Sequence, residues 1–306
     1  MGEVREAADA DGEAVRATCA AALRLDLEAA ELPAHLIRPP APRDWTCLVS
    51  EDGLGVVFAS TVGPAGRQPN GTSPGSPVGP LDYVDLLAVH PAAQGRGLGA
   101  SLVGAAEEWL GGRGVTEVRL AGHQPCYAWP GIDVRYTPAV CLAERLGYER
   151  YQIAWNMAVD LSGDLSVDRD VERLSSAGVE VRSAAAPGDR AQVAEFALRH
   201  WNDSWAWEVE HAAGCHYATR DGVVVGFAAW GARPAWFGPM GTAPAATGLG
   251  IGRVLLRRCL AEQRDAGQSR AEISWVGPLR FYSRAVGART ERVFALYRRR
   301  LEGAHV

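Results

Sequence analysis

The chain has 306 residues, of which 47% are hydrophobic and 22% charged, and it carries a formal net charge of −5 at pH 7. This length and balance predict a soluble protein of two domains, and the negative charge argues against nucleic acid as a partner. The polar amino terminus lacks the features of a signal peptide and no apolar run reaches the length of a membrane span, so we expect a cytoplasmic protein without a membrane partner.

The six cysteines are widely spaced, with no C-x-x-C pair and no cysteine–histidine cluster at the spacing of metal ligands. We therefore expect buried free thiols and no metal site. The sequence leaves the oligomeric state open.

The first half of the chain predicts a short strand, a helix and then a hairpin whose turn is Asp52-Gly53. Residues 63–80 contain ten Gly or Pro among eighteen and predict a surface loop. The next strand, LDYVDLLAV, leads into QGRGLGA at 94–100, which opens an amphipathic helix. Residues 122–136 are rich in aromatic and turn-forming residues, which favours a binding loop.

The second half of the chain repeats this order. Asp221-Gly222 is again a predicted hairpin turn, and Gly97 and Gly99 align with Gly250 and Gly252. The repeat predicts two copies of one α/β (α+β) unit, each with a mixed, mostly antiparallel central sheet flanked by helices. The predicted boundaries are 1–160 for the first domain, 161–177 for a polar linker and 178–306 for the second domain.

The glycines between strand and helix suit an anion site. A helix start presents unpaired N–H groups at the positive end of the helix dipole, and residues without side chains let a diphosphate approach the backbone. Arg96 adds a positive charge. A tight turn without a ligand is the plainer interpretation of a single G-x-G, but here the pattern occurs twice between a strand and an amphipathic helix.

At these residues the sequence resembles the GNAT superfamily of N-acetyltransferases, which use acetyl-CoA. Its R/Q-x-x-G-x-G/A signature is matched in full in the first copy and in part in the second, and a Leu-Gly-Phe-like turn closes each copy. The residues that carry the resemblance are Gln94, Gly97, Gly99, Thr247, Gly250, Gly252, Leu146-Gly147-Tyr148 and Val286-Gly287-Ala288. The resemblance covers nearly the whole chain as a tandem pair, an arrangement also found in mycothiol synthase.

The resemblance implies that the strand before each glycine turn hydrogen-bonds the pantetheine arm of acetyl-CoA and that the turn wraps its pyrophosphate. In the first copy these residues are Leu87, Ala88, Val89, Gln94, Gly95, Arg96, Gly97, Leu98, Gly99 and Ala100. In the second copy they are Met240, Gly241, Thr242, Gly248, Gly250, Gly252 and Arg253. Thr247 departs from the Arg or Gln of the signature, so CoA binding by the second copy is left open.

Acetyl transfer to an amine needs a base, because a primary amine is mostly protonated at neutral pH. In many members of the superfamily the base is a carboxylate on the strand before the glycine turn, and a tyrosine on the following short helix is the acid. Strand alternation places Tyr83 and Asp85 on one face, with Leu87 and Val89 beyond them. Asp85 is therefore the candidate base, with an ion pair as the structural alternative. Ala143 occupies the position expected for the acid.

In the first copy Tyr127 or Tyr136 is a candidate substitute for the missing acid. The second copy shows the reverse pattern, with Tyr282 near the acid position and Gly238 in place of the strand carboxylate. The alternative for Tyr282 is a core residue. The candidate bases in the second copy are Glu208, Glu210 and His211.

Two aromatic segments are candidates for acceptor binding. The predicted acceptor-binding residues are Tyr83, Tyr127, Trp129 and Asp133, of which the carboxylate suits a cationic amine. A rigid turn is the alternative for 127–133. In the second copy Trp201 and Trp205 lie one helical turn apart, and we expect them to pack between the domains or, alternatively, to stack on an acceptor.

The predicted function is N-acetyltransfer from acetyl-CoA, or another acyl-CoA, to a primary amine of a small molecule. A protein-lysine acetyltransferase is an alternative within the same class. A non-catalytic acyl-CoA sensor or interaction module is the alternative from another class, because the usual base and acid are divided between the two copies. The sequence does not identify the acceptor.

Overall fold

The computed structural model describes residues 3–37, 43–62, 82–186, 188–233 and 235–301. The contacts divide the chain into two compact units. Unit 1 takes in Met1–Ala154 and Val293–Val306, and unit 2 takes in Trp155–Arg292. The predicted loop at 63–80 lies outside the described residues. Within the described ranges, no helix combines the length and apolar character that a membrane crossing requires.

Unit 1 is a sheet with helices packed on it. Its strands are β1 (Val4–Glu6), β2 (Asp44–Ser50), β3 (Gly55–Thr61), β4 (Asp82–Val89), β5 (Glu117–Leu120), β6 (Ile132–Asp133) and the first half of β7 (Glu149–Asp160). Its helices are α1 (Gly12–Ala22), α2 (Leu32–Leu36), α3 (Leu98–Gly111) and α4 (Thr137–Arg145). Strands β1 to β4 pair antiparallel in chain order, and β4 pairs parallel with β5.

Unit 2 repeats this topology. Its helices are α5 (Asp168–Ser176), α6 (Asp189–His200), α7 (Asp203–His211), α8 (Ile251–Asp265) and α9 (Leu279–Val286). Its strands are β8 (Val179–Ser183), β9 (Gly214–Arg220), β10 (Val223–Trp230), β11 (Trp236–Thr242) and β12 (Arg270–Ile273). Strands β8 to β11 pair antiparallel, and β11 pairs parallel with β12. The prediction of two similar α/β units with a mixed, mostly antiparallel sheet is confirmed.

The strand that completes each sheet comes from the other copy of the sequence repeat. The end of the last strand, β13 (Arg289–Arg300), pairs with β5 in unit 1, where Tyr297 lies opposite Leu120. The end of β7 pairs with β12 in unit 2, where Asp160 lies opposite Arg270. The boundaries between the two units therefore fall inside β7 and β13. The boundaries predicted from the sequence follow the order of the repeated motifs instead. A motif repeat carries no information on which sheet a strand end joins.

The predicted linker at 161–177 contains α5, which is part of the fold of unit 2. Leu174 of this helix is fully buried in the unit 2 core, together with Ile251, Leu255 and Cys259 of α8. In unit 1 the corresponding core lies under α3. The apolar stripe predicted for each long helix thus faces its sheet.

Gly131, just before β6, lies directly against β13. A Cβ at this position would stand 2.6 Å from the carbonyl oxygen of Ala295 and 3.0 Å from the Leu296 side chain. Real Cβ atoms do not approach a backbone oxygen so closely, so a larger residue has to displace one of the two segments. Glycine here allows the 122–136 loop to pair with β13, where Ile132 lies opposite Ala295.

We predict that Gly131→Ala lowers the free energy of unfolding by about 1 to 3 kcal/mol, because the added methyl overpacks this contact. The matched control is Gly104→Ala inside α3, where a Cβ would meet no atom within 4 Å. That change should raise the free energy of unfolding by about 0.5 to 1 kcal/mol, since alanine is the better helix former. Urea denaturation of both variants tests the pair, and a neutral Gly131→Ala contradicts the close contact.

Candidate active site

The sheet of unit 1 splits between β4 and β5. Their parallel pairing runs from Asp82 opposite Val118 to Val84 opposite Leu120 and then ends, although β4 continues to Val89. Past this point the edge of β4 is not paired with β5. Backbone groups along such an edge can bind an extended ligand as an added strand would.

A β-bulge lies in β4 where the split begins. Leu86 pairs with Phe58 and Val84 pairs with Ala59, so Asp85 is the extra residue between them. A bulge reverses the alternation of side chains beyond it. The prediction that Leu87 and Val89 share the face of Tyr83 and Asp85 is therefore wrong, because both pack with the α3 core on the opposite side.

Asp85 lies in a buried cluster of polar side chains on the face of β4 that points away from α3. Its side chain is 6% exposed, and its Oδ1 atom is 3.9 Å from Nδ1 of His123. Ser60 Oγ and His123 Nδ1 are 2.7 Å apart, at hydrogen-bond distance. The Tyr83 ring stacks on the imidazole with 4.5 Å between centroids. Oδ1 of Asp85 is fully buried and has no hydrogen-bond partner in the described structure.

Burial raises the pKa of Asp85 to about 7, although the Arg43 charge and the Ser60 hydroxyl act in the opposite direction. Burial, together with the Arg43 charge, lowers the pKa of His123 well below its usual value. At neutral pH the imidazole is thus uncharged, while the carboxyl group exchanges a proton near pH 7. A group with these properties is suited to general base catalysis.

Arg43 fixes the start of the 122–136 loop. Its guanidinium donates hydrogen bonds to the backbone carbonyls of His123, at 3.0 Å, Gln124, and Cys126, at 3.4 Å. Since all three acceptors lie in one short stretch, a single side chain holds the loop that carries the imidazole. This loop is consequently attached to the strand that begins at Asp44.

Asp26 fixes the other end of the same loop. It accepts hydrogen bonds from Trp129 Nε1, at 3.1 Å, and from the Tyr136 hydroxyl, at 2.7 Å. The Tyr136 oxygen in turn accepts a bond from the Leu25 amide. The loop is thus held at both ends, but the acid role considered for Tyr136 conflicts with its hydroxyl proton being engaged by Asp26.

A cleft opens between β4, α4 and this loop. Asp85 lies in its lining together with Trp129, Asp133 and Tyr136, and most of the remaining lining is aliphatic. Ala143, at the position where a tyrosine acid was expected, also lines the cleft. The structure therefore brings together the candidate base and two of the four predicted acceptor-binding residues, Trp129 and Asp133. The other two, Tyr83 and Tyr127, are buried side chains that fall outside the described lining.

The glycine turn of unit 1 is accessible. Gly95 and Gly97 have φ angles of +77° and +88°, in the left-handed region that favours glycine, and a Cβ on either would meet no atom within 4 Å. Gln94 Nε2 donates to the carbonyl of Val89 at 2.9 Å, so this predicted cofactor residue supports the turn with its side chain. The amide groups at the start of α3 are those that suit an anion.

The glycine turn of unit 2 has the same backbone, and it is open at Gly248, where a Cβ would meet no atom within 4 Å, but not at Gly250. Gly250 has a φ of +86°, and a Cβ there would stand 2.7 Å from the Arg173 guanidinium of α5. The same guanidinium donates to the carbonyl of Leu249 at 2.9 Å. Asp170 of α5 accepts a hydrogen bond of 2.5 Å from Arg253, one of the predicted CoA ligands. Two of the residues predicted to bind the pyrophosphate, Gly250 and Arg253, are thus in contact with side chains of α5.

The predicted aromatic residues of unit 2 pack into its core, whereas the candidate bases Glu210 and His211 are exposed and Glu208 is half-buried. Tyr282 is 8% exposed and contacts the Phe237 ring, and burial raises its pKa above the usual range. Trp201 stacks on Trp205 and covers Gly241, where a Cβ would lie 2.3 Å from the indole ring. These aromatic residues therefore pack within unit 2 itself, on β10 and β11.

Sequence reasoning did not find four residues that surround Asp85 and its loop. These residues are Asp26, Arg43, Ser60 and His123. The position of His123 in the 122–136 loop could have indicated a role for it. The other three residues lie between helices or in and beside strands, with nothing in the sequence that sets them apart. Only their long-range contacts connect them to Asp85 and its loop.

Comparisons with known proteins give the family and the fold of this chain. The model of the acetyltransferase (GNAT) family matches residues 24–128 and 180–287. No curated protein matches the sequence. A fungal multi-domain GH3 β-N-acetylglucosaminidase with a GCN5-related glucosamine N-acetyltransferase region is 19% identical with a TM-score of 0.77, and the match covers 98% of this chain but only 38% of that one.

Two further solved structures match over their whole length. A tandem GNAT protein from the clavulanic acid biosynthesis pathway is 17% identical with a TM-score of 0.70, and the match covers 100% of this chain and 99% of that one. A GCN5-related N-acetyltransferase from Sphaerobacter thermophilus is 20% identical with a TM-score of 0.66, and 99% and 98% of the chains are covered. Likeness at this identity shows the fold. The resemblance in arrangement to mycothiol synthase stays a prediction.

The raised pKa of Asp85 predicts a pH dependence of stability. The folded protein holds this proton up to about pH 7, whereas the unfolded chain releases it near 3.8. The stabilising contribution is complete below the lower value and is lost as the pH rises through the higher one. Between these two pH values the free energy of unfolding of the unmodified protein should fall by about 1 kcal/mol per pH unit. Asp85→Asn should lack this fall, because its side chain does not titrate. Urea denaturation across the window measures both slopes, and identical slopes in the two proteins contradict the shift.

Proposed function

The chain belongs to the GNAT acetyltransferase family, and on this premise we propose that unit 1 transfers an acetyl or similar acyl group from CoA to a primary amine of a small molecule. The observation that carries the proposal is Asp85, a buried carboxyl group on a bulge where the strand edge becomes open. The accessible glycine turn follows on the same strand. A base and a place for the acyl donor are thus adjacent in one unit.

The residues of unit 1 fit acetyl-CoA. The free edge of β4 at Leu87–Val89 would hold the pantetheine arm, and the turn at Gln94–Ala100 would hold the pyrophosphate. The open space around Gly95 and Gly97 supports this fit. Acetyl-CoA supplies the activated acyl group as a thioester.

Asp85 acts on the acceptor amine. A primary amine with a pKa of about 10 is almost entirely protonated at neutral pH and has no lone pair with which to attack. Asp85, with a pKa of about 7, removes that proton directly or through one water molecule and passes it to solvent. The neutral nitrogen would then form the new amide bond as the thioester C–S bond breaks, and the proton still on nitrogen would go to the departing sulfur, so that CoA leaves as a thiol. The Ser60 hydroxyl hydrogen-bonds the carboxyl group. Oδ1, which has no hydrogen-bond partner in the described structure and lies 3.9 Å from His123 Nδ1, is the proposed acceptor for the proton.

We propose that the reaction depends on this base without a tyrosine acid. The two tyrosines in the described lining of the cleft have engaged hydroxyl groups. Tyr136 donates to Asp26, and Tyr148 donates to Glu107 at 2.7 Å. The expected position for the acid holds Ala143. The same observation supports the second candidate, a non-catalytic acyl-CoA-binding module, which we retain as an outcome of the test.

We predict that Asp85→Asn lowers kcat/KM with the best amine of a test panel by about 10² to 10⁴-fold and leaves acetyl-CoA affinity unchanged. In the unmodified protein kcat/KM should rise with pH through about 7, because the active form of Asp85 is ionised. Thiol release measures both effects. The matched control is Glu208→Gln in unit 2, another carboxyl group whose pKa burial raises, to about 8.

Each outcome of this experiment has a distinct meaning. Loss of activity in Glu208→Gln with Asp85→Asn intact moves the reaction to unit 2. Tight acetyl-CoA binding without turnover on any amine favours the binding module. Turnover only on lysine residues of intact proteins favours the protein-lysine acetyltransferase.

We predict one CoA per chain by native mass spectrometry, because the Arg173 guanidinium lies against Gly250 in the second glycine turn. Arg96→Gln should weaken CoA binding by about fivefold, through loss of a charge at the open turn. Arg253→Gln, the matched change in unit 2, should have no effect, since Asp170 already engages that side chain. Two bound CoA molecules, or equal effects of the two variants, contradict the assignment to unit 1.

A further inference from the structure

The cleft of unit 1 extends past the place proposed for the thioester of the donor. The pantetheine arm would lie along β4 at Leu87–Val89, and the thioester has to lie beside Asp85, two residues nearer the start of that strand. The lining continues beyond Asp85 to Val84, which lies opposite Leu120 in the last pair of the parallel ladder. We call this part of the cleft the inner pocket, and its lining residues are Val84, Val103, Leu120, Ala143, Leu146 and Tyr148.

The inner pocket is apolar in its side chains and in its backbone. All but one of its lining side chains are aliphatic, and the hydroxyl of the exception, Tyr148, donates to Glu107 at 2.7 Å, so that this residue offers its ring. Unlike the free edge at Leu87–Val89, the backbone of Val84 pairs with both neighbouring strands, and its carbonyl accepts from the Ala121 amide at 2.8 Å. A ligand group in the inner pocket is therefore stabilised by leaving water and not by new hydrogen bonds.

The small side chain of Ala143 leaves this space open. Ala143 is 2% exposed and lines the cleft from α4, at the position where the sequence analysis expects a tyrosine. A larger side chain at this position would project into the same space. Leu146 lines the inner pocket three residues later, which is about 4.5 Å further along the helix axis. The inner pocket thus continues for close to one helical turn beyond Ala143.

We propose that the inner pocket binds the acyl chain of the donor, and that this donor is an unbranched aliphatic acyl-CoA of the butyryl to hexanoyl class. This inference rests on the proposed function and specifies its donor. The thioester carbon lies beside Asp85, and the chain runs past Ala143 toward Leu146 and Tyr148. The acyl carbon leaves the CoA sulfur for the amine nitrogen whatever the length of the chain behind it. An acetyl group would leave most of the inner pocket unfilled and would forgo those apolar contacts.

Thioether analogues of acyl-CoA test the inner pocket without turnover. S-ethyl-, S-butyl- and S-hexyl-CoA differ only in the length of the chain on sulfur, and a thioether does not transfer that chain. Calorimetry should show affinity rising by about twofold to fourfold for each added methylene, because each one leaves water for an apolar lining. With the best amine of the test panel, kcat/KM from thiol release should follow the same order for acetyl-, butyryl- and hexanoyl-CoA.

Variants of α4 test whether the inner pocket causes the chain-length preference. Ala143→Leu fills the space behind the thioester, so S-hexyl-CoA should lose about tenfold of its advantage over S-ethyl-CoA. Cys141→Leu is the matched control, since it adds the same side chain on the exposed side of the helix, outside the described lining, and should leave the ratio unchanged. Leu146→Ala deepens the inner pocket and should extend the rise in affinity to S-octyl-CoA. Circular dichroism reports the fold of each variant, and Leu146→Ala decides the question where Ala143→Leu does not fold.

The outcomes separate this inference from the proposed function. Equal affinity for the three thioethers overturns the inference and leaves the acetyltransferase proposal standing. A rise with chain length that neither Ala143→Leu nor Leu146→Ala alters also overturns it, because the chain then binds elsewhere. The expected order of binding without turnover of any acyl-CoA supports the inference and removes the catalytic proposal. Failure of all three thioethers to bind removes both.

Discussion

The bulge at Asp85 determines how the site of unit 1 is built. A regular strand would place Asp85 opposite a residue of β3 and send its side chain and that of Leu87 to the same face. The extra residue instead leaves Leu87 and Val89 in the α3 core while Asp85 points toward His123. Pairing with β5 ends one residue earlier, so the carboxyl group and the free strand edge occur together.

Burying this carboxyl group is costly, and the surroundings offset only part of that cost. Arg43 provides the compensating charge, but its hydrogen bonds go to carbonyls of the 122–136 loop. The charge thus acts at a distance and lowers the pKa less than a direct ion pair would. A direct pair would keep Asp85 ionised but would also occupy Oδ1. The indirect arrangement leaves that atom available near neutral pH.

The sequence predicted features that depend on local backbone, and it did not predict those that depend on distant contacts. The glycine turns require positive φ, so their pattern in the sequence was sufficient to find both. Whether a turn is accessible depends on Arg173, which lies 77 residues before Gly250 in a segment that resembled a linker. Likewise, the charge of Asp133 in the sequence did not indicate that the side chain pairs with Arg135, two residues further on.

The two copies have kept the same backbone and diverged in what covers it. Gly241 of β11 aligns with Ala88 of β4, and the absent side chain makes room for the Trp201 ring. Asp170 and Arg173 likewise contact Arg253 and Gly250, whereas a Cβ on the matching Gly97 of unit 1 would meet no atom within 4 Å. The second copy nonetheless contributes to the first, because the end of β13 pairs with both β5 and β6. Its pairing with β6 holds Ile132 and Asp133 at the wall of the cleft, so the last strand of the second copy forms part of the site in the first.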